Sequence, residues 1–128
     1  FCGTKGGKTG MTLQKLIDRL RAHPESDRIG MIASHLGVVR GTSLDGTRVS
    51  GLEVSYDRDI VEAIVNETKK LDGIVDVGVE LFEGRHAVGD EVLAVAVAGE
   101  TREAVFPALV QTVDRLKAEA ARKREFPA

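Results

Sequence analysis

Residues 74–99 read IVDVGVELFEGRHAVGDEVLAVAVAG, and this stretch decides the fold. Over residues 74–84, apolar side chains alternate with polar or small ones, which is typical of a strand buried on one face. Gly89 and Asp90 predict a turn. The run at 91–99 is apolar on both faces, which favours a central strand. The stretch therefore predicts a β-hairpin within a larger sheet.

Helices and strands are predicted on both sides of this hairpin. Apolar spacing and breaker residues place them, in chain order, at helix 11–22, strand 28–40, strand 48–57, helix 59–73 and helix 102–123. The order is α-β-β-α-β-β-α, and hairpins lying between helices favour an α+β fold with a mostly antiparallel sheet. Residues 1–10, FCGTKGGKTG, contain four glycines and predict a flexible lead-in. Residues 11–128 are predicted to form a single domain.

Composition excludes several classes of function. The chain has 128 residues, of which 42% are hydrophobic and 30% charged, as in a globular protein. A net charge of −2 weighs against non-specific nucleic-acid binding. The longest apolar run, residues 92–98, is far shorter than the roughly 20 residues of a membrane helix. No membrane association is therefore expected, and a cytoplasmic location is the default. One cysteine, Cys2, excludes an intrachain disulfide and a thiolate metal cluster.

Two arginines stand where an anion could bind. Arg40 follows the strand motif beginning at Gly37, and its planar guanidinium matches phosphate or carboxylate. Arg102 precedes the last predicted helix, whose N-terminus attracts anions. From spacing alone, a solvated surface arginine is the simpler interpretation of both residues.

The end of the last predicted helix is rich in cations. These are Arg115, Lys117, Arg122, Lys123 and Arg124. Such a run is usually a solvated face. However, Lys117 directly follows the core-facing Leu116, and partial burial would lower its pKa and suit it to acid–base chemistry. Arg102 lies about 22 Å away along one helix. A symmetric dimer with antiparallel last helices would bring Arg102 of one chain toward Lys117 of the other.

The three histidines are scattered, without the spacing of metal ligands. His35 lies within a predicted strand and is expected to be a packed or rim histidine. His86 lies in a predicted loop and is expected to be exposed to solvent.

The segment from about Met11 to Glu125 resembles the large, catalytic subunit of molybdopterin synthase. The matching pieces are Gly30 with the following strand, 37–40, the helix 60–71, 89–92, Arg102 with Phe106, 114–117 and 122–125. The resemblance implies an α+β fold of the α/β-hammerhead type. It also implies a homodimer at the centre of a heterotetramer, whose other component is a ubiquitin-like sulfur-carrier small subunit.

The same resemblance implies the reaction. The family transfers sulfur from the thiocarboxylated tail of the small subunit to cyclic pyranopterin monophosphate and forms molybdopterin, with no metal or cofactor in this step. Lys117 matches the lysine taken as general acid/base. Lys123 matches a second lysine that holds the substrate or the incoming tail. Arg40 and Arg102 match arginines that bind anionic groups of the pterin phosphate.

Four features depart from the family pattern. Thr101 stands where His is usual, His35 stands where an aromatic is frequent, Pro107 falls inside the last helix, and the stretch before Lys123 is one residue shorter. Two other functions therefore stay open. One is a non-catalytic paralogue that binds the small subunit or a pterin. The other is a small-molecule-binding regulatory α+β domain.

Overall fold

The computed structural model describes residues 2–5 and 11–128, which form three α-helices and a six-stranded sheet. The helices are α1 (Met11–Arg21), α2 (Arg58–Lys69) and α3 (Arg102–Arg115). The strands are β1 (Cys2–Lys5), β2 (Met31–Val38), β3 (Val49–Tyr56), β4 (Ile74–Ala87), β5 (Glu91–Gly99) and β6 (Ala121–Pro127). None of the described helices is long and apolar enough to cross a membrane.

The sheet is mostly antiparallel, as predicted. Its strand order is β2-β5-β4-β3-β6, with antiparallel pairing between neighbours. Strand β1 pairs in parallel with β4, from Cys2 opposite Glu80 to Lys5 opposite Glu83. The predicted α+β class is therefore confirmed, with two strands, β1 and β6, beyond those predicted.

Helices cover both faces of the sheet. On one face, α2 and α3 pack against the larger apolar side chains of β4 and β5, namely Val77, Val79, Leu81, Leu93, Val95 and Val97. On the other face, α1 places Leu16 and Leu20 against the small side chains of β5, which are Ala94, Ala96 and Ala98. Strand β5 is thus buried on both sides and lies between β2 and β4, which confirms its predicted central position.

Helix α2 begins at Arg58, one residue before the predicted start at residue 59. The Asp57 carboxylate accepts hydrogen bonds from the backbone N–H groups of Asp59 and Ile60 at 3.1 and 3.2 Å. These groups have no partner within the helix, so the cap satisfies them. After the helix, Gly73 adopts a φ of +81°, a left-handed value that favours glycine.

The last predicted helix, 102–123, is too long. Helix α3 ends at Arg115, and a single π-helical turn, Leu116–Ala120, follows it. The chain then extends as β6, which pairs with β3. The apolar face that supports the helix continues to Ala120 and then meets charged residues, so nothing remains to pack a further helical turn.

The predicted flexible lead-in, residues 1–10, also differs from the structure where it can be compared. Cys2–Lys5 form strand β1, while residues 1 and 6–10 lie outside the described residues. The division into a lead-in and one domain, 11–128, stays a prediction.

Neighbouring atoms lie so close to Gly99 that a substitution at this position tests the packing. Gly99 pairs with both β2 and β4, and a Cβ there would lie 2.5 Å from the Gly73 carbonyl oxygen and 2.6 Å from the Val105 side chain. We expect Gly99→Ala to lower the free energy of unfolding in urea by about 1–3 kcal/mol, because the backbone must shift. Gly37→Ala is the matched control, since its nearest contact would be an ordinary 3.5 Å. Equal losses in both variants would contradict this account.

Candidate functional site

A basic groove of about 550 Å³ lies where β6 and β4 flank β3. Its lining residues are Glu53, Val54, Ser55, Glu83, Gly84, Arg122, Lys123 and Arg124. Three consecutive cations of β6 therefore share the groove with the carboxylates of Glu53 on β3 and Glu83 on β4. Such a groove can bind an anion that is larger than a single phosphate.

Strand register places these cations. Arg122, Lys123 and Arg124 lie opposite Ser55, Val54 and Glu53 of β3. Further along the same strand, Phe126 lies beneath two guanidinium groups. The guanidinium carbon (Cζ) of Arg85 lies 3.7 Å from the centroid of the Phe126 ring, and that of Arg124 lies 4.8 Å from it. Both distances are typical of a cation–π interaction.

Glu83 ties the groove to the start of α2. Its carboxylate accepts a hydrogen bond from the Tyr56 N–H at 3.0 Å and forms an ion pair with Arg58 at 2.6 Å. Burial, together with the negative charge of Glu83, raises the pKa of the Tyr56 phenol to about 12. The phenol O–H donates to the Val92 carbonyl at 3.1 Å. The wall of the groove is therefore anchored to the core.

Lys117 lies on the π-helical turn, exposed between the buried residues Leu116 and Ala120. The turn is held by Arg115, which pairs with Glu119 at 2.9 Å and with Glu67 of α2 at 3.1 Å. These two carboxylates raise the pKa of Arg115. Arg115, one of the cations noted in the sequence, therefore has a structural role. π-Helical turns occur frequently at functional sites.

Arg40 is exposed and lies two residues after the end of β2. The residue before it, Val39, is buried and hydrogen-bonded to the β4–β5 turn, donating to the Asp90 carbonyl and accepting from Gly89. The arginine is thus carried by a backbone that is tied to two other strands.

Arg102 is the first residue of α3 and is exposed. The preceding Thr101 caps this helix, because its hydroxyl accepts a hydrogen bond from the Ala104 N–H at 3.2 Å. The threonine that departs from the family pattern therefore has a structural function at this position.

The four predicted site residues do not share one groove within a single chain. The groove is lined by Lys123, but not by Lys117, Arg40 or Arg102. Arg122 and Arg124, which the sequence analysis named among the terminal cations, line it as well, and so do Glu53 and Glu83, which it did not name. Because 122–123 were predicted to be helical, their position opposite β3 was not expected. The loss of the apolar face after Ala120 was the signal that β6 begins there.

His86 is buried in the structure, and His35 is half-buried. The prediction for His86 was wrong: it lies on β4, is 2% exposed, and its Nε2 is 2.7 Å from the Phe82 carbonyl. His35 is half-buried on β2, and its pKa is lowered by burial and by the charge of Lys117. Among the described residues, no three His, Cys, Asp or Glu side chains gather as a metal site requires.

The phenol of Tyr56 provides a spectroscopic check on this geometry, since it is the one tyrosine in the sequence and there is no tryptophan. We expect its ultraviolet titration to show a pKa near 12 rather than 10. Because folding raises this pKa, the associated stability is complete below pH 10 and falls as the pH rises toward about 12. Glu83→Gln lowers the pKa by removing a nearby negative charge, whereas Glu53→Gln leaves it unchanged. A titration near 10 in the native chain would contradict the placement of Tyr56.

The sequence and the fold of the chain are similar to those of known proteins. The family model described as "MoaE protein" matches residues 8–119. A solved molybdopterin synthase from Staphylococcus aureus is similar in fold, with 17% identity, a TM-score of 0.75, and coverage of 99% of this chain and 90% of that one. A MoaE protein from Burkholderia ambifaria MC40-6 shows 24% identity and a TM-score of 0.73, covering 99% and 89%.

A third solved structure is a complex. It is that of subunits 1 and 2 of molybdopterin-converting factor from Helicobacter pylori 26695, with 14% identity, a TM-score of 0.70, and coverage of 99% and 89%. The sequence matches no curated protein.

Proposed function

The chain belongs to the MoaE family, and we propose that it acts as the catalytic large subunit of molybdopterin synthase. The reaction moves sulfur from a thiocarboxylated small subunit to cyclic pyranopterin monophosphate. The observation that carries this proposal is the basic groove at the β3–β6 pair, with Lys123 between two arginines. It supplies cations on the strand that directly follows the turn bearing Lys117.

Charge explains why this reaction needs such a surface. The thiocarboxylate and the pterin phosphate are both anions, and they must approach to bonding distance. Two unit charges 4 Å apart repel by roughly 4 kcal/mol near a protein surface. Fixed cations offset this repulsion and stabilise the charge that develops during transfer.

Each of the four predicted residues takes a defined part. Lys117 is the general acid/base beside the thiocarboxylate, and Lys123 holds the tail or the pterin in the groove. Arg40 and Arg102 bind the anionic groups of the substrate. Arg40 is carried by a backbone tied to the β4–β5 turn, and Arg102 stands at a capped helix end that itself favours anions.

A second copy of the chain completes this set of residues. Phe106 and Val110 are 51% and 59% exposed. With 3.6 residues per turn, they lie on the same side of α3 as Arg102. Along the chain they lie between Arg102 and Lys117, which is on the π-helical turn that follows α3. A two-fold axis near Val110 would bury this apolar pair against its copy and bring the partner's Arg102 to Lys117. A homodimer therefore joins cations that one chain keeps apart.

The other partner is the small subunit. The Helicobacter pylori structure is a complex of subunits 1 and 2 of molybdopterin-converting factor, and the matched chain in it has the same fold as this chain. We propose that a ubiquitin-like sulfur carrier binds each chain of the dimer and gives a heterotetramer. The cytoplasmic location expected from the sequence is part of the same proposal.

Removal of the Lys117 amine tests the catalytic assignment. With thiocarboxylated small subunit and cyclic pyranopterin monophosphate, we expect Lys117→Ala to lower turnover by about 10²-fold or more, the usual contribution of a general acid/base. Because Lys117 is exposed, the free energy of unfolding should change by less than about 0.5 kcal/mol. Product formation is measured as dithiolene.

Lys15→Ala is the matched control, since Lys15 is an exposed lysine on α1, across the sheet from α3. Wild-type turnover in Lys117→Ala would show that Lys117 is not the general acid/base. A native complex that forms without product would indicate the non-catalytic paralogue. No complex with the small subunit would favour the regulatory domain.

The dimer is tested through its apolar contact. We expect Val110→Asp to convert the dimer to a monomer in analytical ultracentrifugation, because two carboxylates would face each other across the axis. Turnover should fall with the dimer fraction. Gln111→Asp adds the same charge on another side of α3 and should leave the dimer intact. A native monomer with full activity would refute the arrangement.

A further inference from the structure

His35 has an unused hydrogen-bonding atom at a buried position. It follows Met31 and Ala33 on the face of β2 that packs beneath α3, where those two side chains contact the core. Its Nε2 is buried and has no hydrogen-bond partner among the described residues. A buried ring nitrogen without a hydrogen-bond partner lowers the free energy of unfolding. Nε2 can accept a hydrogen bond when the proton of the neutral imidazole lies on Nδ1.

Among the charged residues near His35, Lys117 is the one whose charge lowers the pKa of the imidazole. Opposite His35 on β5 stands Val95, and its same-face neighbours on β2 are Ala33 and Gly37. The charged residues on the elements near His35 are Glu91 of β5, Arg102, Glu103, Asp114 and Arg115 of α3, and Lys117 and Glu119 of the π-helical turn that follows α3. Arg115 is already paired with Glu67 and Glu119. Besides burial, the charge that acts on His35 is that of Lys117.

We propose that His35 is a positioning residue for Lys117: the exposed ammonium bends toward β2 and donates a hydrogen bond to the buried Nε2. The proposal rests on the sulfur-transfer function given above and deepens it. The lysine side chain is long and flexible, so an acceptor fixed in the sheet would restrict its amine to one position. The amine would then face an incoming thiocarboxylate in a defined orientation.

The protonation state of His35 fits this role. Burial and the nearby ammonium both lower its pKa below the ordinary 6.5, so the imidazole is neutral at pH 7 and Nε2 can accept. As the pH falls through this lowered value, His35 becomes protonated, Nε2 can no longer accept, and the two cations repel. Positioning is therefore present at neutral pH and lost in acid.

An NMR titration of the His35 ring tests the pairing without using the reaction. In Lys117→Gln, we expect the pKa of His35 to rise, because a positive charge beside it is removed. Lys123→Gln removes the same charge from the groove on β6 and should leave the pKa of His35 unchanged. An unchanged His35 pKa in Lys117→Gln overturns the proposal, whatever the activity of the enzyme.

Kinetics with the complete complex test the consequence. His35→Phe keeps a ring of similar size but removes the acceptor, and we expect kcat to fall by about tenfold or more with KM unchanged. His35→Gln places an amide oxygen near the position of Nε2 and should restore kcat.

These outcomes separate the two proposals. A native kcat in His35→Phe would overturn the role of His35 while leaving sulfur transfer intact. A loss of kcat that His35→Gln does not restore would indicate a purely structural histidine and would also overturn it. An inactive native complex with the expected NMR shift would overturn sulfur transfer while supporting the pairing.

Discussion

Burial of β5 on both faces is the constraint on which the rest of the structure depends. On the side of α1 the strand presents alanines, which let that helix approach closely, and on the other side it presents leucine and valine to α2 and α3. A strand with this composition cannot lie at an edge, because water would reach one of its apolar faces. It therefore sets which face each helix covers. Since α3 must pack across it, it also sets where the end of α3 and the following turn emerge.

The position of the cations follows from this packing. α3 ends once its apolar face is used up, and the chain reverses through the π-helical turn into β6. Lys117 is left on the turn, whereas Lys123 is carried away along the sheet edge to the groove. Arg40 lies just beyond the end of β2, and Arg102 lies at the start of α3. A fold that disperses its cations in this way fits a site assembled from two chains better than one enclosed within a single chain.

Elements with a clear period could be predicted. The β4–β5 hairpin and the three helices follow from residue spacing and are present. Strand β6 could not be predicted from period, because ARKREFP is charged and does not alternate; its partner β3 imposes the extended form. The burial of His86 was missed for a related reason, since β4 continues past the expected end of the hairpin strand.

The amino-acid sequence alone determined the α+β class, the central hairpin and the identity of the basic residues, because these depend on local period and composition. Tertiary structure alone decided which of those basic residues line a groove and which stand apart. It also placed Lys117, 82 residues from His35 in the chain, where its charge, together with burial, lowers the pKa of His35. The physical reason is that strand pairing and helix packing join distant segments through contacts that no local pattern encodes.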